Sequence, residues 1–315
     1  MYMQAKNNLL IRLFNRHLTV VFLLITGFLL QGELIAQDEP YGQTMPLFQS
    51  DDILDLTFEA DFKAVFSNTD DSTYFPAFIT MYDNDKREMT VEAEVRTRGI
   101  TRRKQSICSF TPLRVKFPEK EMKNTPFEGQ KAIKLVTHCN KSDKNEQNTV
   151  LEYLIYRAFN ILTDSSFKVR PAMINYIFSD DKTDTTRKFA FFLEREKHLA
   201  SRLSGDEYEA PKVHPDQLDP YQSCLVDMFE YMIGNTDYSL FEDHNIIRIS
   251  DAQGSPPYIP VPYDFDWSGL VAAPYAEPNP LIGTESVTER VYRGLKRSPE
   301  IVNRTIRLFN ERKAA

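Results

Sequence analysis

Glycine supplies only 11 of the 315 residues, and no G-x-G-x-x-G run is among them. A glycine-rich phosphate loop of that form is therefore absent. Cysteine is scarcer still: Cys108, Cys139 and Cys224 are the three, none at C-x-x-C spacing, which argues against a zinc site. His138, His198, His214 and His244 do not group at metal-ligand spacing either. Positive charge is also in deficit. A formal net charge of −7, with no basic stripe interleaved with aromatics, argues against a nucleic-acid partner. There is no internal repeat and no low-complexity tract, and no apolar run reaches the ~20 residues of a membrane helix.

What is present is an ordinary globular composition, 42% hydrophobic and 26% charged, behind a targeting segment. Lys6, Arg12 and Arg16 precede the apolar run Leu18–Leu30, and a small residue stands at Ala36. That order describes a secretory signal over residues 1–36, with an uncleaved anchor as the alternative because Leu34 is not small. The expectation is an exported protein, periplasmic, at the cell surface or extracellular, with no stable membrane span once the signal is removed. Export permits disulfides. Cys108 and Cys139, each beside a strand-like run, are either bridged or two buried thiols, and Cys224 belongs to a helix core.

After a lead-in over 37–50, alternation of apolar and polar residues predicts strands in "ILDLTFEADF", "YFPAFITMYD", "MTVEAEVRTRG", "FTPLRVKF" and "QKAIKLVTHC". A helix over Asn145–Leu162 follows from 3.6-residue spacing, capped by Asn145 or Asn148. "KVRPAMINYIF" and "RKFAFFLERE" then form a hairpin around "SDDKTDTT". Beyond residue 197 the pattern is mainly helical, with a helix ending at Gly234, two short strands near "HNIIRI" and "YIPVPYDFD", and a largely helical tail from Val287. The fold class is thus α+β, with a β-rich part over 51–197 organised as an antiparallel sheet with one long helix, and a helical part over 198–315.

The chemistry concentrates in "GNTDYSLFEDHN" and "PYDFD". If the two short strands pair, Asn245 at the start of one meets Asp264 at the end of the other, and Asp237 enters from the preceding loop. Asp, Asn and Asp with apolar support form a hard-oxygen site suited to Mg²⁺ or Mn²⁺. Turn residues of these types also cap loops, and Asp264 with Asp266 could instead be read as a glycosidase pair.

These motifs resemble the secreted kinase-like proteins of the spore-coat-protein-H (CotH) family, within a wider protein-kinase-like and HipA-like group. The resemblance implies a two-lobed kinase-like fold that binds ATP with Mg²⁺ and transfers phosphoryl to an unknown protein or small-molecule acceptor. It implies Asp237 as catalytic aspartate, with Asn245, Asp264 and Asp266 as metal ligands. It further implies a strand lysine for the phosphates paired to a helix glutamate. Lys134 and Glu152 have that order, with Lys116 and Lys131 as competitors. Glu194 would sit where backbone groups meet adenine. The phosphate cover falls to "RTRGITRRK", with Arg98 and Arg102 among its cations. A non-catalytic envelope interaction protein on the same fold is the alternative.

Overall fold

The strand-forming half contains seven strands and two helices: β1 (Leu54–Ala60), α1 (Phe62–Ser67), β2 (Phe75–Tyr82), β3 (Glu88–Thr97), β4 (Leu113–Lys116), β5 (Ala132–Val136), α2 (Asp143–Leu162), β6 (Val169–Phe178) and β7 (Asp181–Leu193). This is a computed structural model, and it describes residues 42–68, 70 and 72–314. The signal segment read over residues 1–36 lies outside the described residues. The strands run in the order β1-β2-β3-β4-β5-β7-β6 and close into a barrel. Closure is made by a parallel pairing of β1 with β6, from Leu54↔Ala172 to Ala60↔Phe178, whereas every other pair is antiparallel. The expected purely antiparallel sheet is corrected accordingly. Period-two alternation fixes which side chains face inward but does not name a strand's neighbours.

Phe58, Val95, Leu113, Leu135, Tyr176 and Phe192 fill the barrel interior. The end of β7 is buried on both faces, which explains the unbroken apolar run "FAFFL". Ala190 and Phe192 face the barrel, while Phe191 and Leu193 belong to a second cluster with Ile155 and Phe159 of α2. Ser142, not Asn145 or Asn148, caps α2 by accepting from the Asn145 N–H. Asn145 is buried and its amide donates to Asn140 and Ser142. The expected long turn "SDDKTDTT" shrinks because β7 already starts at Asp181 and extends the hairpin into solvent.

The remainder comprises α3 (Glu196–Arg202), β8 (Gly205–Glu207), α4 (Pro220–Ile233), β9 (Ile246–Asp251), β10 (Ile259–Pro262) and α5 (Pro299–Arg312). Asp219 caps α4 and Gly234 ends it at φ 70°, a left-handed position that glycine occupies without a Cβ penalty. Strands β10, β9 and β8 form a separate antiparallel sheet in that order. The expected helical tail is helical only from Pro299. Before it the chain is neither helix nor strand, and its arginines serve other backbone: Arg290 Nε donates to the Met232 carbonyl (3.0 Å), and Arg293 Nη1 to those of Thr236 and Tyr238 (both 2.6 Å). Among the described residues no helix is long and apolar enough to cross a membrane.

Candidate active site

The β9–β10 hairpin assembles the polar cluster. Pro262 pairs with Ile246, and one step further the Tyr263 N–H donates to the Asn245 carbonyl (3.1 Å). The ladder therefore ends with Asn245 and Asp264 at the same end of the hairpin. Both residues are left-handed, at φ 54° and 65°. Asn and Asp tolerate that region better than other residues with a side chain, and such outliers concentrate at functional sites. Phe265 anchors the segment: fully buried, it packs 4.7 Å from Tyr156 and 6.0 Å from Phe229 between ring centroids. Burial of such a side chain contributes about 1.5–3 kcal/mol.

Asp237 follows the Gly234 cap and is held on every side. Asn235 Oδ1 accepts from its N–H (3.0 Å), and Asn245 Nδ2 donates to its carbonyl (2.7 Å) and to its Oδ2 (3.0 Å). His244 Nε2 lies 2.7 Å from Oδ1. The sequence-based expectation that Asp237 and Asn245 meet is thus realised, and His244 acts as a clamp on the aspartate. The Asp264 N–H donates to Tyr156 Oη (2.8 Å), whereas its half-buried carboxylate makes no hydrogen bond or ion pair among the described residues.

Asp266 is deeper, 7% exposed, and accepts from Tyr275 Oη at 2.8 Å. Burial first, and the charge of Asp264 second, push its carboxyl up to about 7, with Arg102 pulling the other way. Glu152 is 3% exposed on α2, and burial and the charge of Asp266 raise its carboxyl well above the ordinary range. Arg102 answers both acids. Its Nη1 lies 3.9 Å from Glu152, its Nη2 donates to the Thr137 carbonyl, and its guanidinium is 6.0 Å from the Tyr275 ring. Arg102, Glu152, Asp266 and Tyr275 line a cavity of about 10 Å³, close to the room one water requires.

The expected Lys134–Glu152 pair is corrected. Lys134 bonds Glu196 at the first turn of α3, with its ammonium 5.4 Å from the Tyr263 ring, and Glu152 faces Arg102 instead. Burial and the nearby charge of Arg98 depress the Lys134 ammonium, with Glu196 opposing them. Lys116 and Lys131 lie on the solvated barrel face, paired with Glu94 (2.5 Å) and Glu119 (3.6 Å). Arg98 keeps a guanidinium with no hydrogen bond or ion pair among the described residues, though its charge reaches Lys134 and Glu152.

Glu194, expected where backbone groups meet adenine, has its side chain committed to structure. Fully buried, it accepts from Arg202 Nε and Nη2 (3.0 and 2.9 Å) and from the Lys168 N–H (3.0 Å), and its own N–H goes to the Lys168 carbonyl (2.9 Å). It ties the strand ends to α3 and has no side chain to offer a ligand. Arg102 as partner of Glu152, and Tyr156 and Tyr275 as supports, carried no sequence signal: they stand in a turn, on a helix face and in a Pro/Ala-rich loop.

Among the described residues no group of three or more His, Cys, Asp or Glu is arranged to hold a metal ion. The expected donor set of Asn245, Asp264 and Asp266 is of another composition. The Asn245 amide nitrogen is spent on Asp237, which leaves its Oδ1, and the Asp264 carboxylate is uncommitted. Two crowded acids and an amide oxygen fit a hard cation. Among the described residues, larger surface clefts of about 410, 440 and 480 Å³ are lined by barrel and α2 residues and by the segment preceding β1, and these include none of Asn245, Asp264 and Asp266. No family model matches this chain, and no curated protein matches its sequence.

Proposed function

We propose that this chain is an exported CotH-like atypical kinase, transferring phosphoryl from ATP, with Mg²⁺ or Mn²⁺, to a protein or small-molecule acceptor. The observation that carries the reading is the contact of Asp237 with Asn245, together with the left-handed backbone of Asn245 and Asp264 at the end of one hairpin. Asp237 has the role of orienting the acceptor hydroxyl and accepting its proton, and His244 and Asn245 hold its carboxylate for that task. Asn245 and Asp264, with Asp266 behind them, would hold the cation. Such a cation, when bound, offsets charge on the phosphate oxygens. Arg98 and Lys134 supply positive charge from the barrel side. The Cys108–Cys139 bridge agrees with an oxidising compartment.

The alternative, a non-catalytic interaction protein on the same scaffold, is favoured by one observation: Lys134 is bound to Glu196 and not to the helix acid. Titration with Mg·ATP separates the two. The sole tryptophan, Trp267, adjoins Asp266 and reports binding through its fluorescence. The kinase reading expects a saturable signal that Asp264→Ala abolishes, while Asp237→Asn binds normally and loses turnover by roughly 100-fold or more. No signal from the unsubstituted protein leaves the non-catalytic reading.

A further inference from the structure

Between Arg98 and Pro112 the chain joins β3 to β4 without helix or strand, yet it delivers a guanidinium that is only 11% exposed. Most backbone bonds inside this loop are local turns, such as Lys104 N–H to Thr101 and Ile107 N–H to Lys104. The end of the loop is fixed in the barrel core, where Phe110 packs on Phe66 and Tyr176, its N–H reaches the Cys139 carbonyl (3.0 Å) and Thr137 Oγ1 donates to the Thr111 carbonyl (3.0 Å). Residues 99–107 are tied by side chains: Gln105 reaches the Phe66 carbonyl (2.6 Å) and Arg102 the Thr137 carbonyl, while the Ile107 carbonyl lies 3.3 Å from Cys139 Sγ. The one covalent tie is the Cys108–Cys139 disulfide, spanning 31 positions with Cα atoms 4.6 Å apart. Its loop end is six residues beyond Arg102, and its other end is two residues beyond Thr137, the acceptor of Arg102. Cys139 also lines the small cavity shared by Arg102, Glu152, Asp266 and Tyr275. Covalent tether and buried cation thus converge on one turn of chain.

We propose that this bridge is a redox control on the candidate site. Oxidised, it limits the freedom of the loop, so the cost of holding Arg102 in a desolvated position is met in advance. Reduction by a dithiol transfers two electrons: the S–S bond breaks, each sulfur takes a proton, and the dithiol closes to its own disulfide. The loop is then released, Arg102 withdraws, and Glu152 and Asp266 lose their counter-charge. In a reducing compartment the site is unassembled. It is completed only where the bridge forms. Control of nucleotide binding rests on the function proposed above, whereas release of the loop does not.

The test compares three forms of the full chain: oxidised wild type, wild type reduced with dithiothreitol, and Cys108→Ser/Cys139→Ser. Hydrogen exchange is read over residues 99–107 and over strands β3, β4 and β5, together with Trp267 emission with and without Mg·ATP. In both bridge-free forms, exchange over 99–107 rises roughly tenfold or more while the strands keep their protection. Trp267 emission shifts, and any Mg·ATP response of the oxidised protein is lost. Exchange over 99–107 within about twofold of the oxidised protein overturns the proposal, as does loss of protection in every strand, which makes the bridge a global staple. An oxidised protein without Mg·ATP response, but with the loop released on reduction, defeats the kinase reading and leaves the redox control standing.

Discussion

Among the described residues two buried acid clusters differ in what stands beside them, although burial pushes the carboxyls of both upward. Glu152 and Asp266 meet a cation, Arg102, delivered by a loop from the barrel. Asp227 and Glu230, one turn apart on α4, have arginines nearby that are mostly engaged elsewhere. Arg293 spends its donors on the Thr236 and Tyr238 carbonyls, and Arg297 comes no nearer to Asp227 than 3.8 Å. Tyr238 Oη donates to Asp227 at 3.1 Å, but both Glu230 oxygens are buried without a hydrogen-bond partner of normal geometry. Asn235 is the polar group that most favours ionised Glu230, and it only partly offsets burial, so the carboxyl is pushed up to about 8. Asp227 is pushed up to about 6, again by burial first. A buried acid either acquires a counter-ion or keeps its proton. The first cluster keeps a buried guanidinium beside its acids, whereas Glu230 lacks one and keeps its proton at neutral pH.

The sharpest way to break this contrast is to remove the counter-ion. Arg102→Ala leaves Glu152 and Asp266 buried without compensation, and a loss of about 3–5 kcal/mol is expected from denaturant midpoints. Adding Glu152→Gln to that variant should recover part of the loss, since one of the two buried carboxyls that Arg102 faces disappears. An equal loss in single and double variants would mean that Arg102 stabilises by packing alone.

The second cluster answers to pH. A carboxyl raised from 4.5 to about 8 keeps its proton in the fold where the unfolded chain has already ionised. The folded state therefore binds the extra proton across that window, and stability falls as pH rises from about 4.5 through 8. The loss is on the order of 5 kcal/mol over that window, and Glu230→Gln should flatten the midpoint-against-pH curve while leaving stability below pH 4.5 unchanged. A parallel curve for the variant would assign the slope to other groups.

The smallest effect is a control on the helix that carries the second cluster. Asp219→Ala removes the side-chain acceptor of the Gln222 N–H and should cost about 1 kcal/mol. The pH slope should be unchanged, because frayed first-turn residues do not open the Glu230 site. A changed slope would show that the start of α4 and its buried acids open together.

Legibility in the sequence tracked the distance over which an interaction acts. Alternation in "MTVEAEVRT" foretold β3, and the Gly234 punctuation foretold the end of α4. Two short strands a few residues apart have little choice but to pair, so the hairpin that brings Asn245 toward Asp264, and the reach of Asp237 to Asn245, could be read in advance. The bridge between Cys108 and Cys139 was legible as one of two options, because each cysteine adjoined a strand. Charge pairing was not. Lys134 could be placed on its strand, but its choice of Glu196 over Glu152 depends on where α3 starts relative to the barrel rim. Glu194 reads like any polar residue at a strand end until Arg202 folds back onto it.

The sequence by itself determined the elements, their inward faces and the local loops that carry Asp237, Asn245 and Asp264, because spacing of 2 or 3.6 residues and short connections act within one stretch of chain. Only the tertiary structure decided that β1 closes onto β6, that Arg102 becomes the buried partner of Glu152, and that the tail's arginines brace the Asp237 loop. Those choices are made between segments tens of residues apart or more, where packing and the cost of stranding a buried charge select the partner and local pattern carries no information about it.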